Sequence, residues 1–229
     1  MSALYDNRLR RIEVLGQSLW LDYIERALLV DGGLESLIRD DGISGVTSNP
    51  AIFEKAIAQH AEYDAAIAQF ARRGLGAQEI YEALAIEDVC MAADLLRDVY
   101  ETSCMRECCG CDGYVSLEVS PQLAHDTAAT VAEAKRLWDR VERPNLMIKV
   151  PATRAGLPAI RQLIADGINV NVTLLFGVAR YREVAESYLA GLEDRLAQGG
   201  AIDRVASVAS FFLSRIDTLV DGYLDHESR

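Results

Sequence analysis

Short apolar runs alternate along the chain with longer segments in which apolar residues recur at helical spacing. The runs predict six β-strands, over residues 18–24, 44–49, 113–120, 145–152, 169–176 and 205–212. Helical spacing predicts helices over 34–40, 51–72, 78–100, 124–141, 154–166 and 178–198, with a last one from about 213. Strands that alternate with helices in this way indicate a parallel sheet with right-handed crossovers.

The predicted strands are rich in Val, Ile and Leu and carry small polar residues near their C-terminal ends, as strands buried on both faces do. A (β/α)8 barrel places functional groups at those ends. An open doubly wound sheet is the alternative, but no G-x-G-x-x-G follows the first strand. We therefore predict an α/β fold of the TIM (β/α)8 barrel family, as a single partial domain over 1–229. Because about six of the eight βα units are present, either the count is too low or the sequence is the front part of a longer protein.

Charge and hydropathy exclude some partners. The 229 residues carry a formal charge of −12 without a compensating basic stretch, which argues against nucleic acid. The N-terminus is polar and amphipathic, and no apolar run approaches 18 residues, so neither a signal peptide nor a membrane span is expected. We expect a cytoplasmic protein without a membrane partner.

Four of the five cysteines cluster in CMRECCGC, at Cys104, Cys108, Cys109 and Cys111. The cluster lacks two separated C-x-x-C pairs and a nearby His, so it is not typical of a metal site. A reducing cytoplasm also disfavours disulfides. We interpret the cluster as a Cys-rich surface loop, and metal binding or redox sensing remains an alternative.

Polar side chains interrupt every predicted strand, although an unpaired buried charge is costly. They are Asp22, Asn49, Glu118, Lys149, Asn171, Thr173 and Ser210. Taken singly, each could be a satisfied core group or lie at a wet strand end. Asn49, which precedes Pro50, also has the pattern of a helix N-cap. As a set on six successive strands, however, they would converge at one barrel mouth.

Lys149, in NLMIKVPAT, suggests a specific chemistry. Burial disfavours the ammonium form of a lysine, and a neutral amine attacks a ketone to form a carbinolamine and then a Schiff base. The iminium is an electron sink, so a carbon–carbon bond beside it can break or form. Asp22 can serve as the acid/base group, while Glu118 and Thr173 can hold the water that hydrolyses the imine.

Five ordered segments, GVTSNPAIF, YVSLEVSP, NLMIKVPAT, INVNVTLLF and SVASFFLSR, together resemble transaldolase of the bacterial branch. The resemblance runs from about residue 14 to residue 217. It implies a TIM barrel of the class I aldolase type that needs neither cofactor nor metal. It also implies transfer of a dihydroxyacetone unit between ketose and aldose phosphates in the non-oxidative pentose phosphate pathway. The implied sugars are fructose 6-phosphate, sedoheptulose 7-phosphate, erythrose 4-phosphate and glyceraldehyde 3-phosphate.

The resemblance assigns the Schiff base to Lys149, acid/base catalysis to Asp22, and water activation to Glu118 with Thr173. It assigns the dihydroxyacetone hydroxyls to the amides of Asn49 and Asn171, and the phosphate group to Ser210 and Arg215. It places Phe212 near the substrate. A fixed arginine suits phosphate through bidentate hydrogen bonds.

The sequence departs from the family in two respects. A further phosphate-binding arginine of the seventh strand and the last two βα units are not reached, so we expect the 229 residues by themselves to be unstable or inactive. Two alternatives remain open, a fructose-6-phosphate aldolase that uses the same lysine and an inactive barrel fragment. The sequence does not indicate an oligomeric state.

Overall fold

The computed structural model describes residues 7–104 and 112–227, with side chains up to residue 225. The chain forms two compact units. The first comprises residues 1–118 with 138–147, and the second comprises residues 119–137 with 148–229.

Three complete strands lie in the first unit, and their order follows the chain. They are β1 (Leu19–Leu21), β2 (Ile43–Val46) and β3 (Tyr114–Glu118). All pair in parallel, with Leu21 opposite Val46 and Val46 opposite Val115. The carboxyl ends of these strands therefore lie at one edge of the sheet.

The first unit also contains one long helix and several shorter ones. They are α1 (Arg10–Glu13), α2 (Arg26–Val30), α3 (Gly33–Ser36) with a π-helical turn at Leu37–Asp41, α4 (Pro50–Gln59), a 3-10 turn at Ala61–Tyr63, α5 (Asp64–Arg72), α6 (Ala77–Leu95) and α7 (Arg97–Cys104). Tyr63 and Leu84 form part of the core, against which Ile57, Ile67 and Phe70 pack. The apolar faces of α4, α5 and α6 are thereby removed from water.

The second unit contains most of β4 (Leu146–Pro151), all of β5 (Val170–Leu175) and all of β6 (Ser207–Phe211). These strands are also parallel and follow the chain order. Every residue of β4 is buried, which explains its continuous apolar run. The helices are α8 (Thr127–Val141), whose last turn belongs to the first unit, α9 (Gly156–Ala165), α10 (Val178–Ala197) and α11 (Leu213–Glu227).

Six parallel strands that alternate with helices confirm the predicted α/β, TIM-like fold. The count of eight βα units stays a prediction. The single helix predicted over 51–72 was wrong, because α4 ends at Gln59 and a turn carries the buried Tyr63 into the core. The helix predicted over 78–100 is likewise divided, between α6 and α7 at Leu96.

No helix in the described part of the chain is long and apolar enough to cross a membrane. Cys108, Cys109 and Cys111 lie outside the described residues. Cys104, at the end of α7, is disulfide-bonded, whereas we expected no disulfide.

Candidate active site

Asp22 follows β1 directly, and Thr47 follows the neighbouring strand β2. The backbone N–H of Thr47 donates to the carbonyl of Leu21 over 2.8 Å, which extends the strand pairing to this point. The Thr47 hydroxyl then donates to Oδ1 of Asp22 over 2.7 Å. Asp22 is thus an exposed carboxylate with a fixed orientation. The sequence analysis did not identify Thr47, although its position directly after a buried strand could have indicated it.

Asn49 begins α4 as its N-cap. Its Oδ1 accepts a hydrogen bond from the backbone N–H of Ile52 over 3.0 Å, and Pro50 occupies the first turn. The structural interpretation of Asn49 is therefore confirmed. The Nδ2 group donates to no residue in the described part of the chain, so it remains able to bind a ligand.

Glu118 is the last residue of β3 and is half-buried. Tyr81, on α6, packs edge-on against Phe53 and lies in the field of the Glu118 and Glu54 carboxylates. Burial, followed by the charge of Glu118 and then of Glu54, raises the pKa of Tyr81 to about 12. The phenol therefore stays protonated at neutral pH and can act as a hydrogen-bond donor.

A buried ionic network fixes the chain that follows Asp22. Arg26, the first residue of α2, donates from Nε to Oδ1 of Asp88 over 2.8 Å, and the Tyr63 hydroxyl donates to Oδ2 of Asp88 over 2.6 Å. The same hydroxyl accepts from the Arg26 backbone N–H over 2.9 Å. Asp88 is 0% exposed. Burial raises the pKa of the Asp88 carboxyl, and the hydrogen bond from Tyr63 and the charge of Arg26 oppose that change.

Lys149 lies within β4 of the second unit and is 5% exposed. Its register partner on β5 is Asn171, so the two side chains point to the same side of the sheet. Oδ1 of Asn171 accepts a hydrogen bond from the Ser210 hydroxyl over 2.8 Å. The structure therefore brings the predicted Schiff-base lysine, a buried amide and a predicted phosphate ligand onto three neighbouring parallel strands.

Thr173 lies two residues beyond Asn171 and therefore on the same side of β5. It is 1% exposed, and its Oγ1 has no hydrogen-bond partner in the described part of the chain. The β5–β6 register shifts between Val172 and Leu175, and Leu174 has a φ of 60°. Because a buried hydroxyl without a partner is costly, Thr173 is suited to bind a water or a substrate group.

Phe212 lies between β6 and α11, and Arg215 lies in the first turn of α11. The backbone N–H of Arg215 donates to the carbonyl of Phe212 over 3.2 Å. The Arg215 guanidinium carbon is 4.5 Å from the centroid of the Phe212 ring, as in a cation–π contact. The arginine is exposed and therefore accessible to a ligand.

Within each unit the structure places the predicted site residues on neighbouring parallel strands or in the segments that directly follow them. The first unit holds Asp22, Asn49 and Glu118, and the second holds Lys149, Asn171, Thr173, Ser210, Phe212 and Arg215. Their catalytic and binding roles stay predictions. No three His, Cys, Asp or Glu side chains among the described residues form a group that could hold a metal ion.

A buried lysine inside a parallel strand lies beside the Asn171 amide and near the Thr173 hydroxyl, which has no partner among the described residues. These features define an α/β protein with a candidate site around the lysine. A comparison with protein families agrees with this class. The model of the Transaldolase/Fructose-6-phosphate aldolase family matches residues 19–228, and the chain belongs to that family.

Curated relatives carry the transaldolase name. The chain is 52% identical to "Transaldolase 2" of Nostoc sp. over 96% of its own length and 56% of the relative. It is 51% identical to "Transaldolase" of Trichodesmium erythraeum over 96% of its own length and 57% of the relative. For "Transaldolase" of Mycobacterium leprae the identity is 46%, over 98% of the chain and 58% of the relative. The chain therefore spans a little over half the length of these relatives.

Proposed function

We propose that the protein transfers a dihydroxyacetone unit from a ketose phosphate to an aldose phosphate through a Schiff base on Lys149. The observation that carries the proposal is the environment of this lysine. It is buried in β4, opposite Asn171, on the side of the sheet where the Thr173 hydroxyl has no partner among the described residues. Family membership and the relatives' names support the reaction class.

In the proposed reaction Nζ of Lys149 attacks the ketose carbonyl carbon, and the carbinolamine loses water to give an iminium. Asp22 removes the proton from the C4 hydroxyl, the C3–C4 bond breaks, and its electron pair moves into the iminium to form an enamine. The aldose phosphate leaves. The enamine then attacks the carbonyl carbon of the acceptor, whose oxygen takes the proton back from Asp22. A water held by Glu118 and Thr173 finally adds to the iminium, which releases the new ketose and regenerates the amine.

The remaining predicted residues would bind the substrate. The amides of Asn49 and Asn171 are suited to the dihydroxyacetone hydroxyls, since each amide can both donate and accept. Ser210 and Arg215 are suited to the phosphate group. We propose fructose 6-phosphate and sedoheptulose 7-phosphate as donors, erythrose 4-phosphate and glyceraldehyde 3-phosphate as acceptors, and the cytoplasm as the compartment. The six βα units would belong to a barrel of the (β/α)8 type.

Direct cleavage of fructose 6-phosphate is the second candidate, because the description of the matching family includes fructose-6-phosphate aldolase. The two reactions share the lysine and differ in the fate of the enamine. A transferase passes it to an aldose phosphate, whereas an aldolase protonates it and releases free dihydroxyacetone.

The test is to incubate the protein with fructose 6-phosphate, with and without erythrose 4-phosphate, and to quantify the products by mass spectrometry. We expect sedoheptulose 7-phosphate only with the acceptor, and we expect the Lys149→Met variant to form none. Free dihydroxyacetone at the same rate with and without acceptor would favour the aldolase. Equal product from the wild type and Lys149→Met would refute the lysine mechanism.

A further inference from the structure

The Arg215 guanidinium is a cation held by an aromatic ring rather than by a carboxylate. Its central carbon lies 4.5 Å from the centroid of the Phe212 ring. No carboxylate in the described part of the chain forms an ion pair with Arg215. An exposed arginine without such a contact would sample many rotamers, so the position of the charge depends on the position of the ring.

A second aromatic ring covers the Phe212 ring. Phe176 stacks on Phe212 with a centroid distance of 5.6 Å and an interplanar angle of 22°. The backbone N–H of Phe212 donates to the carbonyl of Leu175 over 3.2 Å, so the two rings are also tied through their backbones. We call Phe176, Phe212 and Arg215 the aromatic–arginine stack.

An irregularity in β5 precedes Phe176. The β5–β6 register shifts between Val172 and Leu175, and Leu174 adopts a φ of 60°. A left-handed leucine is strained, and such strain persists only where surrounding contacts hold it. Phe176 is nevertheless 49% exposed, so its ring is not there to fill a core. An exposed aromatic held by a strained strand end suggests a positioning role.

We propose that Phe176 is a positioning residue that sets the Arg215 guanidinium, through Phe212, for the phosphate group of the sugar phosphate. This inference rests on the proposed function and deepens it by giving Phe176 a role in phosphate binding. The phosphate would bind to a guanidinium whose rotamer is already restricted, so less conformational entropy is lost on binding. The contribution would fall on affinity for phosphorylated ligands and leave the chemistry at Lys149 unchanged.

The test compares Phe176→Ala with the wild type on two substrates. Borohydride labelling of Lys149 is measured against the concentration of fructose 6-phosphate, which carries a phosphate, and of dihydroxyacetone, which does not. For Phe176→Ala we expect the half-saturating concentration of fructose 6-phosphate to rise about three- to tenfold, the range an aromatic pair supplies, with unchanged labelling at saturation. The half-saturating concentration of dihydroxyacetone should not change.

Two further variants separate the stack from general packing. Phe176→Tyr keeps the ring, so its half-saturating concentration of fructose 6-phosphate should equal that of the wild type. Tyr181→Ala removes an exposed aromatic of the same unit that packs edge-on against Phe211 rather than on the stack, and should match the wild type. Binding of inorganic phosphate, measured by calorimetry, supplies a readout that needs no Schiff base and should weaken in Phe176→Ala by a similar factor.

The outcomes distinguish two failures. If the wild type forms no adduct at Lys149 but Phe176→Ala weakens phosphate binding, the proposed reaction fails and the positioning role survives. If Phe176→Ala binds phosphate and fructose 6-phosphate as the wild type does, the positioning role is refuted. An equal loss for fructose 6-phosphate and dihydroxyacetone would also refute it, because the ring would then act on the whole site.

Discussion

The hydroxyl of Tyr63 joins the buried carboxylate of Asp88 to the start of α2, and its removal tests how strongly this network stabilises the chain after Asp22. Tyr63→Phe keeps the ring and leaves no cavity, so the change is confined to two hydrogen bonds. The bond donated to Asp88 over 2.6 Å has a charged acceptor and contributes about 1.5–3 kcal/mol. The bond accepted from the Arg26 N–H over 2.9 Å contributes about 0.5–1.5 kcal/mol.

Together these two hydrogen bonds predict that Tyr63→Phe lowers the free energy of unfolding by about 2–4.5 kcal/mol. Arg26 continues to pair with Asp88 at 2.7 Å, which keeps the loss below that of a fully broken buried ion pair. Urea denaturation followed by far-UV circular dichroism measures the change as a lower midpoint at an unchanged slope.

Tyr81→Phe is the matched control, because it removes the hydroxyl of a half-buried tyrosine that makes no hydrogen bond with a described residue. We expect it to change the free energy of unfolding by less than about 1 kcal/mol. A Tyr63→Phe variant as stable as the wild type, or a Tyr81→Phe variant that loses equally much, would contradict the energetic role given to the network.

Three further predictions concern single positions. Thr47→Val removes the hydroxyl that donates to Asp22 and should slow turnover about tenfold, measured by product formation from fructose 6-phosphate, with recovery in Thr47→Ser. Gly113→Ala should lower the free energy of unfolding in urea by more than about 3 kcal/mol, because φ is +81° and the new Cβ would overlap the backbone N of Tyr100. Since the pKa of Tyr81 rises from 10.0 to about 12 on folding, the stability supplied by its protonated phenol is complete below pH 10 and is lost towards pH 12. Tyr81→Phe should therefore lose less stability than the wild type across that pH interval, and an equal loss would exclude the shifted pKa as its cause.

The strands could be predicted from the sequence because burial on both faces leaves a local signature. The segment over 145–152 reads as a continuous apolar run, and every residue of β4 is buried. Lys149 could be identified as a candidate site residue because it is the one charged residue within this apolar run. The N-cap at Asn49 could also be predicted, since an amide followed by Pro50 favours a helix start through local chemistry alone.

The break between α4 and α5 and the network around Asp88 could not be predicted. The apolar spacing continues across His60 without Gly or Pro, so the local pattern favours one helix. The chain turns there because Tyr63 bonds to Asp88, which lies 25 residues away, and Arg26 reaches the same carboxylate across 62 residues. Such long-range polar pairs leave no periodic signal in one sequence. Thr47 was missed for the same reason, because its role depends on the pairing of β1 with β2.

Borohydride trapping tests the central claim most directly. The protein is incubated with fructose 6-phosphate, reduced with borohydride, and analysed by intact mass and then by peptide mapping, with Lys149→Met as the control. The account predicts a reduced three-carbon adduct on Lys149 in the wild type and no adduct in the variant. Such an adduct would also overturn the expectation from the sequence that the 229 residues by themselves are inactive. An adduct on another lysine, or active turnover without any adduct, would contradict it.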